Sequence, residues 1–118
     1  MAQSRVYLNE AVRFVRDSNL GLIFDLIGQV LEKRSTNIPW VTDQYKSWVD
    51  VIIKLPPGLK DISFNDLKEF PDRIIFFSDI LEEVDSMLKD EDKFNLKADI
   101  EKIQYVLKKG INTEELSI

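Results

Sequence analysis

The chain of 118 residues contains no histidine and no cysteine. Without histidine it lacks the commonest general base and the commonest metal ligand. Without cysteine it can form no disulfide, no thiolate nucleophile and no cysteine-bound zinc or iron–sulfur centre. Its four glycines lie far apart and form no phosphate-binding loop. These absences indicate a protein that is not an enzyme and that holds no cofactor or metal ion.

Long apolar runs are also missing. The most apolar stretch, residues 20–31, is interrupted by Gly21, Asp25 and Gly28, and it is too short for a bilayer span, which needs about 20 apolar residues. Residues 1–17 mix charged and apolar side chains from the start, which is not the pattern of a secretory signal. We therefore expect a soluble, cytoplasmic protein without membrane contact, and the lack of cysteine fits such a reducing compartment.

The length fits one domain, and an apolar share of 44% is typical of a globular protein. Apolar residues recur every three to four positions, which predicts an all-α fold, a compact irregular bundle of about five helices within a single domain, residues 1–118. A turn is expected near residues 18–20, and residues 111–118 are expected to form a flexible tail. The predicted helical segments are 4–17, 20–34, 43–54, a short one at 63–70, 71–89 and 96–109.

Negative charge is concentrated in one part of the chain. Residues 61–92 carry eleven acidic and three basic side chains, whereas residues 1–60 carry six acidic and eight basic ones. A negative surface repels nucleic-acid phosphates and attracts basic proteins. The distribution therefore predicts a basic protein partner and no nucleic acid, and it leaves the oligomeric state open.

The predicted helix at 71–89 carries much of this charge. Its expected core face comprises Ile74, Phe77, Ile80, Leu81, Val84, Met87 and Leu88. Acidic side chains gather on the opposite side, and Lys89 is the one basic residue on this helix placed to compensate them four positions away. The predicted partner-binding residues are Asp72, Ile75, Phe76, Asp79, Glu82, Glu83, Asp85, Asp90 and Asp92, the last three of them as steering charges.

Two interpretations of these side chains stay open. A charge run on a helix is more often a solvated face than a binding surface or a Mg²⁺ site. Ile75 and Phe76 are either anchors for a partner or residues covered by the preceding short helix. Trp40 and Tyr105 carry the same pair of alternatives, and for Trp40 the apolar residues beside it favour a place at the edge of the core.

In size and charge, the whole chain resembles the toxin-neutralising immunity proteins of bacterial competition systems, such as contact-dependent growth inhibition and the nuclease colicins. The tandem-tyrosine-proline motif of the colicin immunity proteins does not occur in it. The resemblance implies a protein that neutralises a cationic toxin domain, such as a nuclease, by covering its active site or substrate cleft. The alternative is a non-catalytic regulatory or adaptor bundle, for example a phage or plasmid protein that binds a host factor or mimics DNA.

Overall fold

The computed structural model describes residues 2–88 and 96–116. These residues form four α-helices and a three-stranded mixed sheet, so the fold is mixed α/β and the prediction of an all-α bundle is wrong. The strands are β1 (Gln3–Leu8), β2 (Ala11–Arg16) and β3 (Ile62–Ser63). The helices are α1 (Asp17–Lys33), α2 (Pro39–Lys54), α3 (Pro71–Ser86) and α4 (Ala98–Leu116). A 3₁₀ helix, Asn65–Leu67, precedes α3.

The segment predicted as the first helix is a β-hairpin. Its strands pair from Gln3 with Arg16 to Leu8 with Ala11, which leaves a two-residue turn. Asn9 in this turn has a φ of 54°, a left-handed conformation that asparagine tolerates better than most residues. On β1, burial alternates along the strand, as expected for a sheet with one covered face. A helix over residues 4–17 would place Tyr7 and Leu8 on the same side, whereas on a strand these neighbours point to opposite faces.

The sheet has β1 at its centre, with β2 antiparallel on one side and β3 parallel on the other. Ser4, Val6 and Leu8 on β1 are fully buried against the helices. An ion pair at the sheet edge extends the short β1–β3 pairing. The carboxylate of Asp61 accepts hydrogen bonds from the main-chain amide of Arg5 at 2.9 Å and from its guanidinium at 2.8 Å.

The helices agree with the sequence prediction more closely than the hairpin does. The predicted second helix is confirmed in α1, although it starts at Asp17 with no turn near 18–20. α3 begins at Pro71 as predicted and ends at Ser86, short of the predicted boundary. α4 continues through Gly110 to Leu116, so most of the predicted tail is helical. Gly110 lies against Leu8, where a Cβ atom would collide with the leucine side chain.

The hydrophobic core lies between the helices and one face of the sheet. Trp48 of α2 is at its centre, with ring centroids 5.7 Å from Phe24, 5.0 Å from Phe64 and 4.9 Å from Phe77. The indole N–H of Trp48 donates to the carbonyl of Ser63 at 2.9 Å, so this buried polar group is satisfied. Within the described residues, no helix combines the length and the apolar character needed to cross a membrane.

Candidate functional site

The outward side of α3 is the surface on which the sequence concentrates its charge. Pro71 opens the helix at a position where its missing N–H costs nothing, and Asp72 follows in the first turn, where a negative charge is favourable. All the residues predicted for the core face of this helix are buried except Met87, which is exposed. Burial of that face fixes the direction in which the remaining side chains point.

Four of the predicted partner-binding residues form one exposed line along α3. Asp72, Ile75, Asp79 and Glu82 are spaced by three, four and three positions, so they lie above one another on the helix surface. All four are exposed, and Ile75 retains 57% of its accessible surface. We call this line the acidic ridge. In the described part of the chain, Asp72 and Glu82 have no ion-pair or hydrogen-bond partner for their side chains.

Two cations at the C-terminal end of α1, Lys33 and the residue after the helix, Arg34, compensate another part of the acidic side. The guanidinium of Arg34 donates to Glu83 Oε1 at 2.6 Å and lies 3.6 Å from Asp79, and the ammonium of Lys33 is 3.9 Å from Glu83. Hydrogen bonding to Glu83 raises the pKa of Arg34 above its ordinary value. Within α3 alone, the acidic side chains lack basic partners at helical spacing. The structure supplies basic partners for Asp79 and Glu83 from the end of α1. Glu83 therefore helps to hold α1 against α3.

Asp85 also has an internal partner. Its carboxylate binds the ammonium of Lys97, just before α4, at 2.9 and 3.0 Å. This hydrogen bond raises the pKa of Lys97. The pair connects α3 with the start of α4. The other two predicted steering charges, Asp90 and Asp92, lie outside the described residues.

The two apolar candidates on α3 have different environments. Ile75 is exposed at the centre of the acidic ridge, so the preceding 3₁₀ helix does not cover it. Phe76 is half-buried, with its ring centroid 5.6 Å from Trp40 and 5.4 Å from Phe77. Trp40 is itself half-buried in this aromatic cluster, and the guanidinium of Arg73 lies 4.5 Å from its ring centroid. Ile75 is thus available to a partner, whereas Phe76 and Trp40 contribute to the fold.

Tyr105 of α4 remains partly exposed, and the guanidinium of Arg13 lies 3.9 Å from its ring centroid. This cation–π contact joins α4 to β2.

Sequence reasoning missed two surface features. Phe70 is exposed beside the start of the acidic ridge, and the guanidinium of Arg73 lies 4.3 Å from its ring centroid. An open apolar groove between α1 and α2 is bordered by Val49, Ile52 and the exposed Ile53. The adjacent isoleucines near the end of α2 were the available signal for the groove, but their helical spacing is equally typical of two residues that both face the core.

One acidic side chain is deeply buried. Asp99, with 2% of its surface accessible, accepts hydrogen bonds from Asn19 Nδ2 at 2.8 Å and from the amide of Arg16 at 3.4 Å, and it lies 3.2 Å from the ammonium of Lys102. These contacts attach the first turn of α4 to the junction between β2 and α1. Among the side chains that the structure describes, in residues 2–88 and 96–110, no three acidic groups converge in a way that could hold a metal ion.

Comparison of the chain with protein-family models, with curated proteins and with solved structures finds no match.

Proposed function

We propose that the protein is a non-catalytic binding protein that neutralises a cationic toxin domain, of the kind found in nucleases, by covering its active site or substrate cleft with the acidic ridge. The observation that carries the proposal is the exposure of Ile75 between Asp72, Asp79 and Glu82. An apolar side chain surrounded by charges is a common arrangement for an interface anchor, because the polar rim excludes water from the buried centre, where the anchor contributes most of the binding energy.

The electrostatics of the ridge suit a basic partner. A nuclease surface is cationic because it must hold phosphates, and opposite potentials accelerate encounter between two proteins. Asp72 and Glu82 have no ion-pair partner in the described part of the chain. They can therefore meet the cations of a partner without breaking an internal contact, whereas Glu83 and Asp85 would first have to leave Arg34 and Lys97.

The experiment uses as the partner the toxin domain of the protein encoded immediately upstream of this gene. Association with the purified chain is measured by stopped-flow fluorescence at several salt concentrations, and protection is measured by survival of cells that express the domain. The expected result is a 1:1 complex that forms more slowly as salt screens the charges. The combined changes Asp72→Lys and Glu82→Lys should weaken it about tenfold to a hundredfold.

A matched control has Glu10→Lys and Asp43→Lys, which alter the net charge equally at exposed positions outside α3. This variant should bind nearly as tightly as the original chain. A third variant, Ile75→Ala, tests the anchor while leaving the charge unchanged. Circular dichroism of each variant checks the fold. Full protection by the ridge variant, or an upstream gene that encodes no toxin, would contradict the proposal.

A further inference from the structure

The hairpin presents a second surface, of opposite charge, at its outer edge. β2 is a terminal strand of the sheet, so one side of its main chain faces away from β1. The amide of Arg5 donates to Asp61, and the carbonyl of Tyr7 accepts from Phe64, so both of these residues direct their main chain away from β2. Their register partners on β2, Phe14 and Val12, must direct theirs away from β1.

The edge is open at Val12 and Phe14. Among the described residues, the strand has no ladder partner on this side. The carbonyl of Val12 accepts from the guanidinium of its neighbour Arg13 at 2.8 Å, a contact that the amide of an added strand would replace. At the end of the strand, the amide of Arg16 is bound to Asp99. The open section therefore offers the amides of Val12 and Phe14 and the carbonyl of Phe14, and the carbonyl of Val12 once Arg13 releases it.

The charged side chains along the edge of β2 are positive. Arg13 is exposed and Arg16 is half-buried, and neither guanidinium has an acidic partner in the part of the chain that the structure describes. Phe14 retains 53% of its accessible surface on the face of the sheet that turns away from the core. An uncapped edge strand can pair with a strand from another chain unless its side chains prevent this. On β2 the two arginines favour a partner strand that carries acidic side chains.

We propose that β2 is a docking edge for an acidic extended segment of a partner protein, which adds to the sheet as an antiparallel fourth strand. In that arrangement apolar side chains of the added strand lie opposite Val12 and Phe14, and acidic side chains lie opposite Arg13 and Arg16. A second copy of the chain fits less well. Pairing of Val12 with Phe14 between two copies would place their Arg13 side chains directly opposite each other, and like charges in that position are destabilising.

The probe is a blocked peptide of sequence Glu-Thr-Val-Glu-Val-Thr. In antiparallel pairing its first residue faces Arg16 and its fourth faces Arg13. Binding is followed by fluorescence anisotropy of the labelled peptide and by hydrogen exchange of the Val12 and Phe14 amides. We expect saturable binding, slower exchange of both amides, and at least tenfold weaker binding of a peptide in which lysine replaces both glutamates.

The sharpest variant is Phe14→Pro. Proline removes only the outward N–H, so the β1–β2 ladder stays intact, and edge strands tolerate it on the solvent side. It should weaken peptide binding about tenfold or more, because the donor at the centre of the new ladder is lost. The control is Phe14→Val, which keeps the N–H and should bind within a few-fold of the original chain.

The outcomes separate the possible occupants. Equal binding by the proline and valine variants, or unchanged exchange at Val12 and Phe14, would overturn the proposal. Sedimentation that shows a dimer which Phe14→Pro dissociates would also overturn it, in favour of a second copy at this edge. The acidic ridge lies on another element, so the Asp72→Lys and Glu82→Lys variant should bind the peptide normally. This proposal can therefore fail or succeed independently of the toxin-binding function.

Discussion

Gly28 permits a close approach between α1 and the side chain of Tyr45 on α2. The hydroxyl of Tyr45 donates to the carbonyl of Phe24 at 2.8 Å, and a Cβ atom at Gly28 would collide with it. Alanine favours a helix over glycine by about 1 kcal/mol. We nevertheless expect Gly28→Ala to lower the free energy of unfolding by about 1–2 kcal/mol, because the collision outweighs the helix preference. Urea denaturation measures the difference.

The same helix provides the control. A Cβ atom at Gly21 would meet no other atom within 4 Å, so Gly21→Ala should raise the free energy of unfolding by about 0.5–1 kcal/mol. In a Tyr45→Phe background the obstructing hydroxyl is absent, and Gly28→Ala should cost less than it does in the original chain. A purely additive double variant would show that the tyrosine hydroxyl does not set this contact.

Asp61 connects pH to the stability of the sheet. Burial alone would raise the pKa of its carboxyl, but hydrogen bonds from the guanidinium and amide of Arg5, together with the charge of that guanidinium, bring the pKa below its ordinary value. A depressed pKa stabilises the folded state above the unfolded pKa of about 3.9, and this contribution is lost as the pH falls through the folded value. Stability should therefore decrease below about pH 4.

The measurement is the melting temperature of the original chain and of Asp61→Asn between about pH 2 and pH 7. Asparagine can still accept from the Arg5 amide but has no charge to lose. We expect its melting temperature to be lower at neutral pH and to change less with acid, so that the two curves converge at the acidic end. Parallel curves would contradict the assignment of this pH dependence to Asp61.

At the scale of the element, α3 places two adjacent apolar residues in opposite roles. Phe76 is half-buried in contact with Trp40 and Phe77, whereas Ile75 projects from the acidic ridge. Phe76→Ala should lower the free energy of unfolding by about 2 kcal/mol, less than the cost of a fully buried phenylalanine. Ile75→Ala should change it by no more than about 0.5 kcal/mol. Guanidinium denaturation of both variants tests the contrast, and equal losses would contradict it.

The sequence predicted α3 well because burial there follows the helical period. Ile74, Phe77 and Ile80 recur every three residues and are all buried, so the opposite side must face outward. The ion pairs of Glu83 and Asp85 could not be predicted in this way. Their partners Arg34 and Lys97 lie 49 and 12 positions away in the chain, and only the tertiary arrangement brings them together.

The hairpin was missed because its residues satisfy two periods at once. Leu8, Ala11 and Val15 have helical spacing, and they are also buried in the strands. The signals that favour strands were the valines and aromatics at Val6, Tyr7 and neighbouring positions, together with an asparagine suited to the turn. No local pattern decides between a helix and a hairpin for residues 4–17. The decisive contact is the pairing of β1 with Ile62, which is distant in the sequence and forms only in the folded chain.

At the scale of the whole molecule, a polar network joins parts of the chain that are far apart in sequence. Asp17, at the start of α1, accepts from the hydroxyl of Ser4 at 2.7 Å and from the amide of Gly58 at 2.8 Å. The hydroxyl of Ser4 in turn accepts from the amide of Lys60 at 3.0 Å. Strand β1, helix α1 and the loop before β3 are thereby held together around a fully buried serine.

Because one carboxylate holds this junction, its removal should affect the entire fold. Asp17→Ala leaves the hydroxyl of Ser4 and the amide of Gly58 without their acceptor, and we expect the free energy of unfolding to fall by about 2–3 kcal/mol. Unfolding is followed in a Trp40→Phe background, in which Trp48 is the only tryptophan and reports on the aromatic core through its contacts with Phe24 and Phe77.

If the molecule unfolds as a single unit, the fluorescence of Trp48 and the far-ultraviolet circular dichroism should shift to the same lower denaturant midpoint in Asp17→Ala. The control Asp43→Ala removes an exposed acid of α2 that has no side-chain partner among the described residues, and it should leave both midpoints nearly unchanged. Separate midpoints for the two signals in the Asp17 variant would instead show that the junction of hairpin, α1 and loop unfolds independently of the aromatic core. That result would contradict a single cooperative fold, because Trp48 binds Ser63 of the very sheet that the Asp17 network anchors.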